Sequence, residues 1–285
     1  MLIDTECIGC IVNQSRKVAD AINADEVLYK KLVGDVEQMS LSFDRDSTPP
    51  EIAADVYAHM SVLANKEDLY SELKSLSTQK AQSFLPFLYD KLKTSEDRLL
   101  TALKIAVAGN VIDLAAAVEF DLQEELEKVF ESRFSDNNVA YLQNLLESAH
   151  NIVILGDNTG EHIFDYLLIE TLQELYPSLR CSYFVRGVPI INDVTLKEAK
   201  EAGFDTLCEL VDSGVNTPGF SYERATPYAQ KLFDEADVVI SKGMGNYESL
   251  TPSHRRDICF LLKVKCNVVA TSLGRDVGDI ICKVI

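Results

Sequence analysis

The sequence predicts an α/β fold in which a helical N-terminal part precedes a doubly wound, mostly parallel sheet. Three observations carry this expectation. Up to about residue 150, apolar residues recur at three- and four-residue steps with almost no strand signal. Beyond residue 150, short apolar runs alternate with helical segments. Several of those runs end in polar, glycine-bearing turns, the usual form of a strand's carboxyl end in such sheets. The expected division is an all-helical part over residues 1–148 and an α/β part over residues 149–285.

In the first part, Ile52, Val56, Met60 and Leu63 share one helical face, and Pro49-Pro50 opens that helix, since proline is tolerated in the first turn. Ser95-Glu96-Asp97 opens a long buried helix through Leu99, Leu103, Val107 and Ile112. An acidic amphipathic helix is expected over 120–130. Asp136-Asn137-Asn138 should cap a further helix ending near His150.

In the second part, Ile152-Val153-Ile154-Leu155 reads as a buried parallel strand. A helix follows over 163–176, then a strand over 180–185, a helix over 195–202 and a weak strand over 206–211. Strong strands are expected at 237–241 and 267–271, with a final one at 279–285. Residues 213–228, holding Pro218 and Pro227, read as a long loop or lid.

Composition narrows the function. With 47% apolar residues the chain can build a proper core, but its net charge is −18. Such a surface repels nucleic-acid phosphates and anionic lipid. Any phosphate handled here needs local compensation from a metal ion, backbone N–H groups or a few placed cations. No run of about 18 apolar residues is present, so no membrane span is expected. The N-terminus lacks the layout of a signal peptide, and seven scattered cysteines fit reduced thiols, so a cytoplasmic location is expected. Oligomeric state is left open.

The polar turns supply the candidate chemistry. After the first strand come Gly156-Asp157-Asn158-Thr159-Gly160-Glu161. After the second come Arg186-Gly187-Val188-Pro189 and then Asn192-Asp193. After the strand at 237–241 come Lys242-Gly243-Met244-Gly245-Asn246. Asp157, Asn158 and Asp193 form an oxygen-rich set of the kind Mg²⁺ prefers, with water and substrate filling the remaining positions. Each also has a plainer reading: Asp157-Asn158 as an Asx turn and Asp193 as a helix cap. Lys242, Gly243 and Gly245 offer one cation and close backbone approach to an anion, although the segment is neither a P-loop nor a dinucleotide fingerprint. Cys7-x-x-Cys10 admits unpaired thiols, a second metal site or a redox pair. No Gly-x-Ser-x-Gly elbow occurs, and the four histidines do not cluster in sequence; His162, next to Glu161 at a helix start, is open to a catalytic reading but reads more simply as a helix-surface residue.

Taken together, Gly-Asp-Asn-Thr-Gly-Glu, Pro-Ile-Ile-Asn-Asp-Val-Thr and Lys-Gly-Met-Gly-Asn-Tyr-Glu resemble the damage-control phosphatases, long known as domain of unknown function 89. Ala108-Gly109-Asn110-Val111-Ile112-Asp113 resembles that family's helical motif, and Cys-Ile-Gly-Cys its CxxC-bearing subfamily. The resemblance implies a Rossmann-like C-terminal part and a metal on Asp157, Asn158 and Asp193. It implies hydrolysis of phosphate monoesters of small metabolites, such as sugar phosphates, supported by Mg²⁺, Mn²⁺, Co²⁺ or Ni²⁺. Lys242, Gly243 and Asn246 match the phosphate-side loop, with Gly160, Asn192 and Gly245 beside them. Asn110 is expected to reach the substrate from the helical part, and Glu161 or the second carboxylate to position water. Glu198 departs from the aspartate expected after the Asn-Asp motif. A methyltransferase activity claimed for some relatives finds no methyl-donor motif here. Two rival readings stand: a non-catalytic phosphometabolite-binding protein, and a zinc or redox protein centred on Cys7 and Cys10.

Overall fold

The computed structural model describes residues 1–111, 122–251, 255 and 257–285. The chain begins with helices α1 (Thr5–Ala21), α2 (Glu26–Ser40) and α3 (Pro49–Ala64). Asp4 and Asp25 cap α1 and α2, and Thr48 with Glu51 forms a capping box ahead of Pro49-Pro50 in α3. These three helices close around their own cluster, which includes Val18, Leu32, Val36, Val56 and Met60 and extends to Ile190 beyond the sheet's end.

Helices α4 (Ser71–Ser83), α5 (Leu85–Thr94) and α6 (Arg98–Val111) follow, then α7 (Leu122–Glu131), a two-residue strand β1 (Asp136–Asn137) and α8 (Val139–Ser148). Leu88, Leu103, Ala106, Val107 and Leu142 from these helices pack in one cluster with Ile152, Ile154, Tyr183 and Ile240 of the sheet. By packing, then, α1–α3 sit at the sheet's end, while α4–α8 contribute to the layer on one of its faces. The expected cap Asp136-Asn137-Asn138 differs in detail. Asp136 and Asn137 pair with the last strand, and Asn138 Oδ1 accepts from Val284 N (2.9 Å) instead of capping α8.

The α/β part runs β2 (Asn151–Leu155), α9 (Glu161–Leu175), β3 (Arg180–Val185), α10 (Leu196–Glu201), α11 (Phe204–Leu207), β4 (Glu209–Asp212), α12 (Pro227–Glu235), β5 (Val238–Lys242), α13 (Gly243–Leu250), β6 (Ile258–Lys263), α14 (Asn267–Leu273) and β7 (Ile280–Val284). Among the described residues the sheet has seven strands in the order β1-β7-β6-β5-β2-β3-β4. Pairing is parallel except between β6 and β7. The expected fold class is therefore observed.

Three details depart from the sequence reading. Residues 267–271 form part of α14, not a strand: Val269, Ala270 and Leu273 bury one helical face, which outweighs the strand preference of Val268-Val269. The strand lies just before it, as β6, where Ile258-Cys259-Phe260-Leu261-Leu262 is buried on both faces. The segment after Lys242 is no open loop but the first turn of α13. Residues 213–221 are a loop, a 3₁₀ turn spans Tyr222–Arg224, and Pro227 then opens α12.

From β2 the chain moves outward to β3 and β4, then returns to the other side of β2 as β5. The switch point of the sheet thus lies between β2 and β5. Their carboxyl ends carry Gly156-Asp157 and Lys242-Gly243, where ligand crevices form in doubly wound sheets.

Candidate functional site

Beyond β2 and β3, backbone pairing stitches the two outgoing loops together. Val194 N donates to Asp157 O (2.9 Å), Thr159 N to Asn192 O (2.8 Å) and Arg186 N to Val194 O (2.9 Å), with an antiparallel bridge between Asn158 and Asp193. The three sequence-predicted metal residues are therefore neighbours. All three line one cavity of about 490 Å³, whose other walls come from α1, α3, the loop at Pro218, α13 and the start of α14.

Asp157 and Asp193 are buried, and Glu161 is buried beside them in the first turn of α9. The Asn158 amide bridges the carboxylates: its Nδ2 donates to Asp157 Oδ2 (3.0 Å) and Glu161 Oε1 (2.9 Å). Burial, then repulsion from Glu161 and Asp193, raises the Asp157 pKa well above the ordinary carboxylate range. Burial also raises Asp193, opposed by the Arg186 guanidinium and by Lys74. Arg186 Nε donates to Asp193 Oδ2 (2.7 Å), so a buried cation orients that carboxylate.

Among the described residues, no three His, Cys, Asp or Glu side chains form a ready-made metal cluster. The candidate set is two carboxylates and one amide, which suits a hard cation that keeps water and substrate oxygens in its shell. Like charges crowded out of water, with an amide NH₂ standing between them where a cation would, fit that group.

Gly243 is required by Asp157. Its φ is +74°, and a Cβ there would lie 1.9 Å from Asp157 Oδ2. Gly245 is required by the loop opposite, since its Cβ would lie 1.9 Å from Pro218 O. Both glycines let α13 start directly against the carboxylate and the cavity wall.

Other predicted residues take different positions. Lys242 is fully buried and does not line the cavity. Its Nζ pairs with Asp165 Oδ1 at 2.5 Å and lies 4.0 Å from Glu161 Oε2, while Asp165 Oδ2 accepts from Tyr183 Oη (2.9 Å). Burial would lower the lysine's pKa, but Asp165 and Glu161 outweigh it and the pKa rises. Lys242 thus stands behind the carboxylates as a fixed positive charge.

Asn246 is fully buried and turned inward. Its Nδ2 reaches Gly156 O (3.0 Å) and Lys242 O (2.6 Å), and its Oδ1 accepts from Phe220 N (2.7 Å) and Arg186 Nη2 (3.1 Å). It ties β2, α13 and the 213–221 loop together without facing the cavity. Replacing Asn246 by Ala leaves those buried groups unpaired and is expected to cost about 3 kcal/mol, read from urea unfolding. A loss below about 0.5 kcal/mol would contradict this bonding role.

The Gly160 N–H is taken by His162 Nδ1 (2.9 Å). His162 is fully buried, contrary to the surface position expected, and burial lowers its pKa to about 4, so it stays neutral. Asn192 and Gly245 line the cavity. The side chain of Asn110 and residues 112, 113 and 254 lie outside the described residues. Glu198, where the family motif suggested an aspartate, closes a capping box with Thr195 and lies 3.9 Å from Lys74 Nζ.

Sequence reading assigned no role to Arg186, Asp165, Lys74 or Lys265. Lys74 is buried on α4, bonds Asp68 (3.0 Å) and lends positive charge toward Asp193. Lys265 is exposed on the cavity wall and acts electrostatically on Asp157. Only the polar-turn position of Arg186 was visible in the sequence. The others sit among ordinary helical or strand-end residues and gain meaning through packing.

Cys7 and Cys10 line the same cavity, joined by Cys266. Burial raises the pKa of both Cys7 and Cys10, which keeps the thiols protonated. Burial also pushes the cavity-lining Glu248 carboxyl up to about 7, opposed by the Met1 ammonium. A carboxyl raised from 4.5 stabilises the fold below that value and loses the contribution as pH rises through about 7. Between pH 5 and pH 8 the wild type should therefore lose about 3 °C more in Tm than Glu248→Gln, by scanning calorimetry. Parallel curves would contradict the shift.

A family model, the damage-control phosphatase ARMT1-like domain, matches residues 3–281. The chain belongs to this family. A damage-control phosphatase of Pyrococcus horikoshii is 28% identical over 99% of this chain and 98% of its own. An uncharacterized protein of Methanocaldococcus jannaschii is 31% identical over 97% and 93%. The crystal structure of a DUF89 family protein from Pyrococcus horikoshii superposes with a TM-score of 0.92 at 27% identity, covering 100% of this chain and 99% of that one. The family and the mostly parallel α/β fold expected from the motifs are thereby shown. No described helix is long and apolar enough to cross a membrane.

Proposed function

We propose that this protein is a divalent-metal-dependent phosphatase that hydrolyses phosphate monoesters of small metabolites. The carrying observation is that Asp157, Asn158 and Asp193 meet at the sheet's switch point and line one cavity. Asp157, Asn158 and Asp193 would hold the cation, with Mg²⁺ or Mn²⁺ and also Co²⁺ or Ni²⁺ as candidates. A bound divalent ion neutralises phosphate oxygens and makes water a better nucleophile.

The protein's own groups do the rest. Arg186 fixes Asp193, and Gly243 leaves room for Asp157. Lys242, held by Asp165, offsets the charge of Glu161 and Asp157 from behind. Glu161, expected from the sequence to position water, does not line the cavity; bonded to the Asn158 amide, it holds that amide in place from behind. Lys265 and the first turn of α13 offer positive potential to the phosphate from the cavity side. Attack by Asp157 itself is the weaker route, because its Oδ2 is packed against Gly243 and bonded by Asn158.

Phosphate release from p-nitrophenyl phosphate tests the reading. Activity should need added Mg²⁺, Mn²⁺, Co²⁺ or Ni²⁺ and fall at least about a hundredfold in EDTA. Full activity in the chelator would overturn metal dependence. A protein that binds phosphate esters without releasing phosphate under any of these metals would favour the non-catalytic reading.

A further inference from the structure

The cavity wall formed by α1 and α3 is not used by the proposed chemistry. It is largely apolar, with Ile11, Val56 and Met60 lining the same space as Met244 and Val268, while Glu6 and Lys17 of α1 add two charged groups. Two of the polar groups along this wall are bonded within the protein. Tyr57 Oη accepts from Leu69 N (2.9 Å), leaving its ring to the cavity, and Gln14 Nε2 donates to Tyr70 Oη (2.7 Å). Cys7, buried, and Cys10, exposed one turn on, complete the wall, and a protonated thiol behaves as a small apolar group.

We infer that this wall is the leaving-group subsite, and that it selects phosphate monoesters whose body is apolar or aromatic over those of sugars. The inference rests on the phosphatase reading for its orientation, phosphate toward Asp157 and body toward α1 and α3. A sugar brings several hydroxyls that must each be satisfied on leaving water, and this wall sets mostly carbon against them. An apolar body gains from the same burial. The Cys-x-x-Cys motif then serves as part of the wall, through its spacing on one face of α1 and not through redox or metal chemistry.

Binding of non-hydrolysable phosphonates tests the subsite without turnover. Titration calorimetry in Mn²⁺ should show benzylphosphonate binding at least about tenfold more tightly than methylphosphonate. Val56→Thr and Cys10→Ser, nearly isosteric polar replacements on two different helices, should each shrink that ratio at least about threefold. Equal affinity for the two phosphonates in the wild type would overturn the inference. So would an unchanged ratio in both variants. Turnover adds a second reading with one leaving-group chemistry, since benzyl phosphate and glucose 6-phosphate both release a primary alcohol. The benzyl ester should show the higher kcat/KM by at least about tenfold, through a lower KM, and a preference for the sugar ester would overturn the inference. If neither ester is cleaved with any of the four metals while the phosphonate ratio holds, the phosphatase reading fails and the apolar subsite stands.

Discussion

Asp157→Asn is expected to lower kcat/KM about a thousandfold while leaving the metal-free protein at least as stable as the wild type. The two effects have one origin. The Asp157 carboxylate is buried and repelled by Glu161 and Asp193, so its ionised form weighs against folding until a cation offsets it. An amide of the same shape removes the repulsion and also removes the charge a hard cation needs. Asp193→Asn should cost similar activity without that gain in stability, because it deprives buried Arg186 of its carboxylate partner. Steady-state kinetics with thermal unfolding in EDTA separates the two variants. Activity of Asp157→Asn within about tenfold of wild type would remove Asp157 from the chemistry. A melting point lowered by more than about 5 °C would show that its charge supports the fold.

Gly243→Ala is expected to be nearly as damaging, although glycine has no chemistry. The backbone there has φ +74°, and the added methyl would stand 1.9 Å from Asp157 Oδ2. Either the carboxylate moves or the first turn of α13 does, and displacement of about 1 Å at a reacting centre costs on the order of a hundredfold in rate. Strain at the positive φ and overpacking add about 2 kcal/mol of lost stability. Gly34→Ala is the matched control. Gly34 lies within α2, and a methyl added there would meet nothing within 4 Å, so activity should not change. Equal activity of Gly243→Ala and Gly34→Ala would mean that Asp157 is not held where the chemistry requires it.

Much of this architecture is legible in the sequence, for identifiable reasons. The strands over 152–155, 181–185 and 238–241 are buried on both faces, and the apolar stretches Ile152-Val153-Ile154-Leu155 and Val238-Val239-Ile240 between polar turns report that directly. The turns themselves carry Asp157, Asn158 and Asp193, since a doubly wound sheet collects its ligand groups at strand ends. The error at 267–271 shows the limit of local preference. The β-branched Val268, Val269 and Thr271 suggest a strand, and the tertiary position of Val269 and Leu273 makes the segment helical.

The inward turn of Asn246 and Lys242 was invisible for a related reason. A motif fixes which residues recur, not which way each points. Lys242 at the end of β5 faces Asp165 on α9, 77 residues earlier in the chain, through a contact that no spacing rule encodes. Lys74 and Lys265 are similar: one buried lysine on α4 and one exposed lysine after β6, each meaningful only through the carboxylate it approaches.

Titration of Mn²⁺ into chelator-stripped protein, followed by calorimetry, tests the central claim most directly. One ion should bind per chain in the wild type, with affinity falling at least about tenfold in Asp157→Asn and likewise in Asp193→Asn. Affinity and stoichiometry unchanged in both variants would contradict the account, because the cation would then be held elsewhere than at the sheet's switch point.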